Sequence, residues 1–319
     1  MSKSKSAYWT HALVLLLAGL FITSFLVPMR DKTDEWIPLL SGFVDIDVLY
    51  GNRLLLILGG ILGIVGLAVS VYFIVAKMVS ESFSIYYTQL FLLLIILTNP
   101  MSIYFSAIYP AAILVVWVIY CFMQNQRFTA LFLLSCASLF YAPIIWMVPV
   151  VLVILLAGVP DFWRVFIKAA GGMFIPYLYI LAFRFVCFND MDVFIHQYFQ
   201  EVIRLDFPIY SLSFITLFMT LCFAILLGHA LLYILKRLNR QNILSGVVLR
   251  MTILASLLGV LIFFLFWGGK STPLCVLIAG PFSLLLSNYA LENKATYSFH
   301  AELILFMSAV AVARATHFI

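Results

Sequence analysis

The sequence predicts an all-α fold, a polytopic transmembrane helical bundle, and three observations carry that prediction. The 319 residues are 65% hydrophobic and only 10% charged, with a mean hydropathy of +1.15. Soluble domains run near half apolar and a quarter charged, so a water-soluble core is excluded. The apolar residues come in unbroken runs, as over residues 54–76, 214–235 and 253–267, whereas a membrane β-strand would alternate apolar with polar. A bilayer core of roughly 30 Å takes about 20 apolar residues of helix, and a helix satisfies its backbone polar groups within one segment.

In chain order the candidate spans are residues 9–28, 54–76, 84–97, 107–123, 128–139, 144–156, 171–187, 213–235, 247–267, 273–291 and 300–316. The first follows Lys3 and Lys5 and resembles a signal peptide, but no small-x-small cleavage site follows, so it reads as a retained helix. The second carries Gly59, Gly60, Gly63 and Gly66, whose spacing points to close helix contact and away from an ion path. Residues 128–156 are interrupted by Tyr141-Ala142-Pro143 and again by Pro149. They form either two short helices, giving eleven membrane helices, or one kinked helix, giving ten; a re-entrant pair also fits. No repeat, linker or low-complexity stretch divides the chain, so residues 1–319 are one integral-membrane domain.

Charge orients the layout. With a cytoplasmic N-terminus and eleven crossings, the inner side collects Lys3, Lys5, Lys77, Arg127, Arg164, Lys168, Lys236, Arg237, Arg240, Arg250 and Lys294. Against them stand Glu81, Asp161, Glu292 and Glu302, so the positive-inside rule is met. The formal net charge of +5 is then a cytoplasmic rim facing anionic lipid, with no argument for nucleic acid as partner. Trp9, Trp36, Trp163 and Trp267 fall at predicted helix ends, as interfacial aromatics do. This is the layout of a multi-pass membrane protein with a cytoplasmic N-terminus. Cys121, Cys136, Cys187, Cys222 and Cys275 are scattered through the apolar spans without a Cys-x-x-Cys pair and read as small apolar fillers.

Two outer loops exceed turn length. The first, residues 29–53, holds Asp31, Asp34, Glu35, Asp45 and Asp47. The carboxylates of Asp45 and Asp47 could share a divalent cation, the one cofactor this pattern suggests, or one acid could act as a general base. Asp34, Glu35, Asp45 and Asp47 are therefore the candidate catalytic residues, set against the plainer reading of a solvated acidic loop. The second loop, residues 188–212, contains Met191, Phe194, Ile195, Tyr198, Val202 and Leu205 at helical spacing. Asp192, His196, Gln200 and Arg204 fall on the other face, which predicts an amphipathic helix on the outer surface or capping the bundle. Asn189-Asp190-Met191-Asp192 before it reads as an N-cap more readily than as a ligand set.

Arg184, Arg204 and Lys270 lie on the outer side near the membrane plane. Cations at headgroup depth can hold a lipid phosphate, although snorkelling anchors look the same in sequence. Gly268-Gly269-Lys270-Ser271-Thr272 resembles the end of a phosphate-binding loop, but Phe264 stands where a glycine is required and no strand precedes it. His229 and Arg250 are ionisable groups in or near spans, and the dearth of intramembrane acids, Glu302 apart, disfavours a proton-coupled transporter.

Ala137-Ser138-Leu139-Phe140 followed by Trp146, then Asp161-Phe162-Trp163-Arg164, then Lys270-Ser271 leading into Pro281, resemble an uncharacterised multi-pass membrane protein family of Bacteroidetes. That likeness covers the chain from about the third span onward and implies no activity. The acidic first outer loop, the amphipathic outer segment at residues 191–205 and the short helices of residues 128–156 also resemble the GT-C-type glycosyltransferases. That resemblance implies transfer of a sugar from a polyprenyl phosphate in envelope glycan assembly, with membrane lipid and the lipid-linked sugar as partners. This chain departs from those enzymes in its shorter length and in lacking a soluble outer domain after the bundle. The competing expectations are a non-enzymatic subunit or assembly factor of the envelope and, third, a transporter.

Overall fold

A computed structural model describes residues 14–15, 17–25, 39, 52–77, 83–156, 162–203, 214–237, 243–265, 275–293 and 296–316. Helix α1 occupies residues 14–15 and 17–25. It is followed by α2 (Arg53–Lys77), α3 (Ile85–Ile96), α4 (Ile108–Met123), α5 (Arg127–Phe140), α6 (Met147–Leu156), α7 (Phe162–Cys187) and α8 (Met191–Ile203). Then come α9 (Phe214–Arg237), α10 (Ile243–Leu265), α11 (Cys275–Asn293) and α12 (Tyr297–Thr316). Short 3-10 turns at Pro100–Ile103 and Ala142–Trp146 complete the described structure, in which there is no strand. By length and composition, α2, α7 and a stretch of α9 are each able to cross a membrane.

Cross-contacts fix the helix directions. Gly60, Gly63 and Gly66 of α2 meet Ile103, Tyr109 and Ile113 in turn, and the Trp117 indole donates to Ser70 Oγ at 3.2 Å, so α2 and α4 run parallel. Helix α3 runs against both neighbours. Its Gln89 donates to the Ala68 carbonyl at 2.9 Å, and its two ends lie beside Ser287 and Cys275 of α11 in reversed order. Alternation continues to α12, whose last turn reaches Ser24 near the end of α1. The bundle thus has a distal end, where α1, α3, α5, α7 and α12 finish, and a proximal end, where α2, α4, α9 and α11 finish.

Burial is inverted relative to length. The long helices α2 and α7 turn Leu62, Ile167, Leu178 and Val186 outward at 62–78% exposure, although nothing in composition separates these from buried residues. Apolar faces exposed on this scale need a covering apolar phase. The short helices form the interior. Every residue of α11 from Val276 to Ala290 is buried, and α3 lies against it with Phe91, Leu92, Leu94 and Ile96 enclosed.

A helix so enclosed must satisfy its end groups inside the protein. At the proximal end the Ser84 N–H donates to Ser287 Oγ at 3.1 Å, and the Ser287 hydroxyl donates back to the Ser84 carbonyl at 3.0 Å. One hydroxyl thus serves two backbone groups at the start of α3. Ser287→Ala is expected to cost about 1–2 kcal/mol, chiefly the desolvation of the Ser84 N–H, since the Ser84 carbonyl still accepts from the Thr88 N–H and hydroxyl. Thermal unfolding of the purified protein measures it, and a midpoint equal to the parent's would show that α3 is capped by other means.

Residues 128–156 form two helices. The chain turns at Tyr141 into the Ala142–Trp146 turn, with Pro143 in its first positions, where the missing N–H costs nothing. Helix α6 then folds back alongside α5: Met147 and Val151 line the same apolar cleft as Leu134 of α5 and Val118 and Ile119 of α4. Helix α7 begins at Phe162, nine residues before the predicted span at 171. Hydropathy ends a span at Arg164 and Lys168, but long basic side chains continue a helix readily while their heads stay in water. Trp163, 73% exposed, sits in this first turn.

Candidate functional site

The distal end gathers the groups able to do chemistry. Helix α8 crosses it, held by Phe194, Tyr198 and Val202, which pack on Leu139, Ala142 and Ile180. These three recur every fourth residue, the stripe legible in the sequence, while Asp192, His196 and Gln200 are exposed. His196 and Gln200 bond to each other at 2.9 Å across one turn. Under α8 lies a hydroxyl cluster. Ser138 donates to the Ser135 carbonyl at 2.7 Å and also meets the Tyr177 hydroxyl, which lies 3.4 Å from the Tyr198 hydroxyl. Burial, with the Tyr177 phenol adjacent, pushes Tyr198 well above its ordinary value, so it stays neutral. The Trp146 indole donates to the Val202 carbonyl at 3.2 Å, tying the α5–α6 turn to α8.

The first long loop reaches the same place. Leu39 donates its N–H to the Leu139 carbonyl at 2.9 Å and packs against the α8 cluster. Leu139 ends α5 with an unsatisfied carbonyl, as helix C-termini do, and a loop N–H answers it. Leu39 of the first loop and α8 of the second therefore meet over the end of α5.

Of the candidate residues, Asp34, Glu35, Asp45, Asp47, Arg204 and Lys270 lie outside the described residues. Arg184 is described, and it faces inward. It is 3% exposed, its Nη1 bonds Asp190 Oδ2 at 2.6 Å, and its guanidinium stands 4.9 Å from the Phe194 ring and 5.4 Å from Phe188. Salt bridge and cation–π contacts together hold the α7–α8 corner closed. Asp190 also accepts the Phe194 N–H on its carbonyl at 3.0 Å, the first bond of α8, so it occupies the capping position expected of it. Asn189 before it has φ 51°, the left-handed conformation that asparagine tolerates.

Two further groups come into view only in three dimensions. Near the proximal end His229 of α9 pairs with Glu302 of α12 at 2.8 Å, and Ser298 donates to the same carboxylate at 2.8 Å. At the distal end Arg314 is 3% exposed and donates through Nη2 to Ser24 Oγ and to the Leu97 carbonyl, both at 2.7 Å. Arg53, exposed at the start of α2, donates to the Phe25 carbonyl at 3.0 Å. Arginine in the last turn of an otherwise apolar span was the available signal for Arg314. Among the described residues no three His, Cys, Asp or Glu side chains gather as a metal site. All five cysteines are free thiols.

Fold and site together define a protein that is all-helical over its described residues, with membrane-length apolar helices and an arginine-bearing end where Leu39 meets α8. No protein family, curated protein or solved structure matches the chain.

Proposed function

We propose that the chain crosses a bacterial inner membrane eleven times, with its N-terminus cytoplasmic and its distal end outside. We propose further that it is a GT-C-like transferase using a polyprenyl-phosphate-linked sugar in envelope glycan assembly. The opposite finishing ends of α1, α3, α5, α7 and α12 and of α2, α4, α9 and α11 support a multi-pass layout. The observation that carries the activity is the meeting of the acidic first loop with the α8 segment, through Leu39 and Leu139, at the end where the arginines gather. A site for lipid-linked substrates needs both an acid for the acceptor and cations at headgroup depth.

On this reading an acid of the first loop, Asp34 or Asp45, takes the proton of the acceptor hydroxyl. The acceptor oxygen then attacks the anomeric carbon, and the bond from that carbon to the phosphate oxygen breaks. The electron pair leaves with the polyprenyl phosphate, whose growing charge Arg204 or Lys270 stabilises. Arg184, committed to Asp190, positions α8 and takes no part in phosphate contact.

The test is the lipid-linked sugar profile of a deletion strain, in which a polyprenyl-phosphate sugar is expected to accumulate. Alanine at Asp34, Glu35, Asp45 and Asp47 together is expected to reproduce that accumulation. Full complementation by the fourfold variant would retire the transferase reading. The second reading, a non-enzymatic subunit or assembly factor, is favoured by the internal use of Arg184 and Asp190, and an unchanged profile on deletion would select it.

A further inference from the structure

Two arginines of this protein are equally buried and are treated differently. Arg184 has a carboxylate at 2.6 Å and two aromatic rings. Arg314 has a hydroxyl and a backbone carbonyl, both on Nη2, while its Nε and Nη1 have no partner among the described residues. No described carboxylate pairs with it. Guanidinium stays charged, and burying it beside neutral acceptors alone is unfavourable unless an anion completes the site. Three N–H donors remain, matching the acceptor oxygens of a tetrahedral oxyanion.

The surroundings favour the same ligand. Arg314 lies in the last turn of α12 and its partner Ser24 in the last turn of α1, so the group stands at the rim of the bundle. Arg53 contacts the very next residue, Phe25, placing a second guanidinium at the end of α1. Cys275, the first residue of α11, lies 3.9 Å from the Ile96 carbonyl, and Arg314 donates to the adjoining Leu97 carbonyl, so the positive end of α11 lies close to the same place.

We infer that Arg314 and Arg53 form an anion-binding site around the last turn of α1, and that its ligand is a phosphate group, carried by a lipid headgroup or free in solution. The inference rests on the orientation proposed above, which puts this turn at headgroup depth, where phosphate is the abundant oxyanion. Arg314 supplies the enclosed donors and Arg53 the exposed flank. Binding would neutralise the buried charge and tie together α1, α2, α3 and α12.

The test uses the full chain in discs of phosphatidylcholine and follows thermal unfolding. Undecaprenyl phosphate in the disc, undecaprenol as its neutral counterpart, and inorganic phosphate in the buffer are the probes. The parent is expected to unfold several degrees higher with a phosphate probe and to ignore undecaprenol. A shift from undecaprenyl phosphate alone assigns the ligand to a headgroup, and an equal shift from inorganic phosphate assigns it to the free anion. Arg314→Met is expected to fold at least as stably as the ligand-free parent, because it removes an uncompensated charge, and to lose the shift. No shift in the parent with either phosphate, or the same shift in Arg314→Met, overturns the site. Should Arg314→Met fail to fold, Arg53→Gln decides: a reduced shift supports the site and an unchanged one refutes it. Phosphate binding with an unchanged lipid-linked sugar profile would retire the transferase and keep the site. An accumulating sugar without Arg314-dependent binding would do the reverse.

Discussion

Asp190→Ala is expected to destabilise the protein by about 3 kcal/mol, and Arg184→Met by clearly less, although both remove the same salt bridge. Breaking a buried ion pair costs about 3–5 kcal/mol, chiefly through the charge left behind. Here the partners are unequally enclosed, with Arg184 4% exposed at its side chain and Asp190 33%. Losing Asp190 takes the carboxylate at 2.6 Å from a guanidinium that cannot reach water, and also removes an acid just before the first turn of α8, where it favours the helix dipole. Losing Arg184 leaves an acid whose side chain is one-third exposed, although its Oδ1 is itself enclosed, and methionine keeps apolar contact with Phe188 and Phe194. The partial exposure of Asp190 places the estimate at the lower end of the range. Thermal or denaturant unfolding of both variants in the same detergent reads the order, and a larger loss in Arg184→Met would refute the assignment of the buried partner.

Gly60→Ala is expected to lose about 3 kcal/mol or more, the upper range for overpacking a closed interior. A Cβ at Gly60 would stand 2.1 Å from the Ile103 carbonyl oxygen and 2.8 Å from the Tyr104 carbonyl carbon, both backbone atoms. No rotamer change relieves that contact; the Pro100–Ile103 turn itself must move. Phe105, which donates its N–H to the Leu56 carbonyl at 2.8 Å, would be pulled from its place beside α2. Gly228→Ala is the control, because a Cβ there meets nothing within 4 Å and alanine is the better helix former. It is expected to be neutral or stabilising by up to about 1 kcal/mol. Equal unfolding midpoints for the two variants would show that α2 does not approach the turn as described.

Much of this architecture was legible in the sequence because the bilayer is a demanding solvent. Runs such as residues 54–76 need no tertiary information to be recognised, since few other environments tolerate them. The glycines of α2 were readable as a packing face because small residues at that spacing have few other uses, and Gly60 and Gly63 do seat the Pro100–Ile103 turn and Tyr109. The stripe Phe194, Tyr198, Val202 was equally plain, and those residues are buried.

Other features left no local trace. Hydropathy could not choose between one kinked helix and two over residues 128–156, because proline permits both. The α5–α6 turn is set by Trp146 reaching Val202, a contact 56 positions away. The partner of His229 was equally hidden, since Glu302 follows it by 73 residues. Arg184 looked like a headgroup anchor because its depth was predictable while the direction of its side chain was not.

Composition and run length therefore determined by themselves that the chain is helical and apolar on a membrane scale, and charge bias supplied an orientation to propose. Both depend on transfer of each segment between water and an apolar phase, a property of the segment alone. Only the tertiary structure decided which apolar helices are enclosed and which face outward, because leucine is equally at home in either place. It also decided which arginine has an acid beside it. Arg184 and Arg314 both stand near the distal ends of apolar helices, and what separates them is Asp190 on the neighbouring helix corner, which Arg314 has no counterpart to among the described residues.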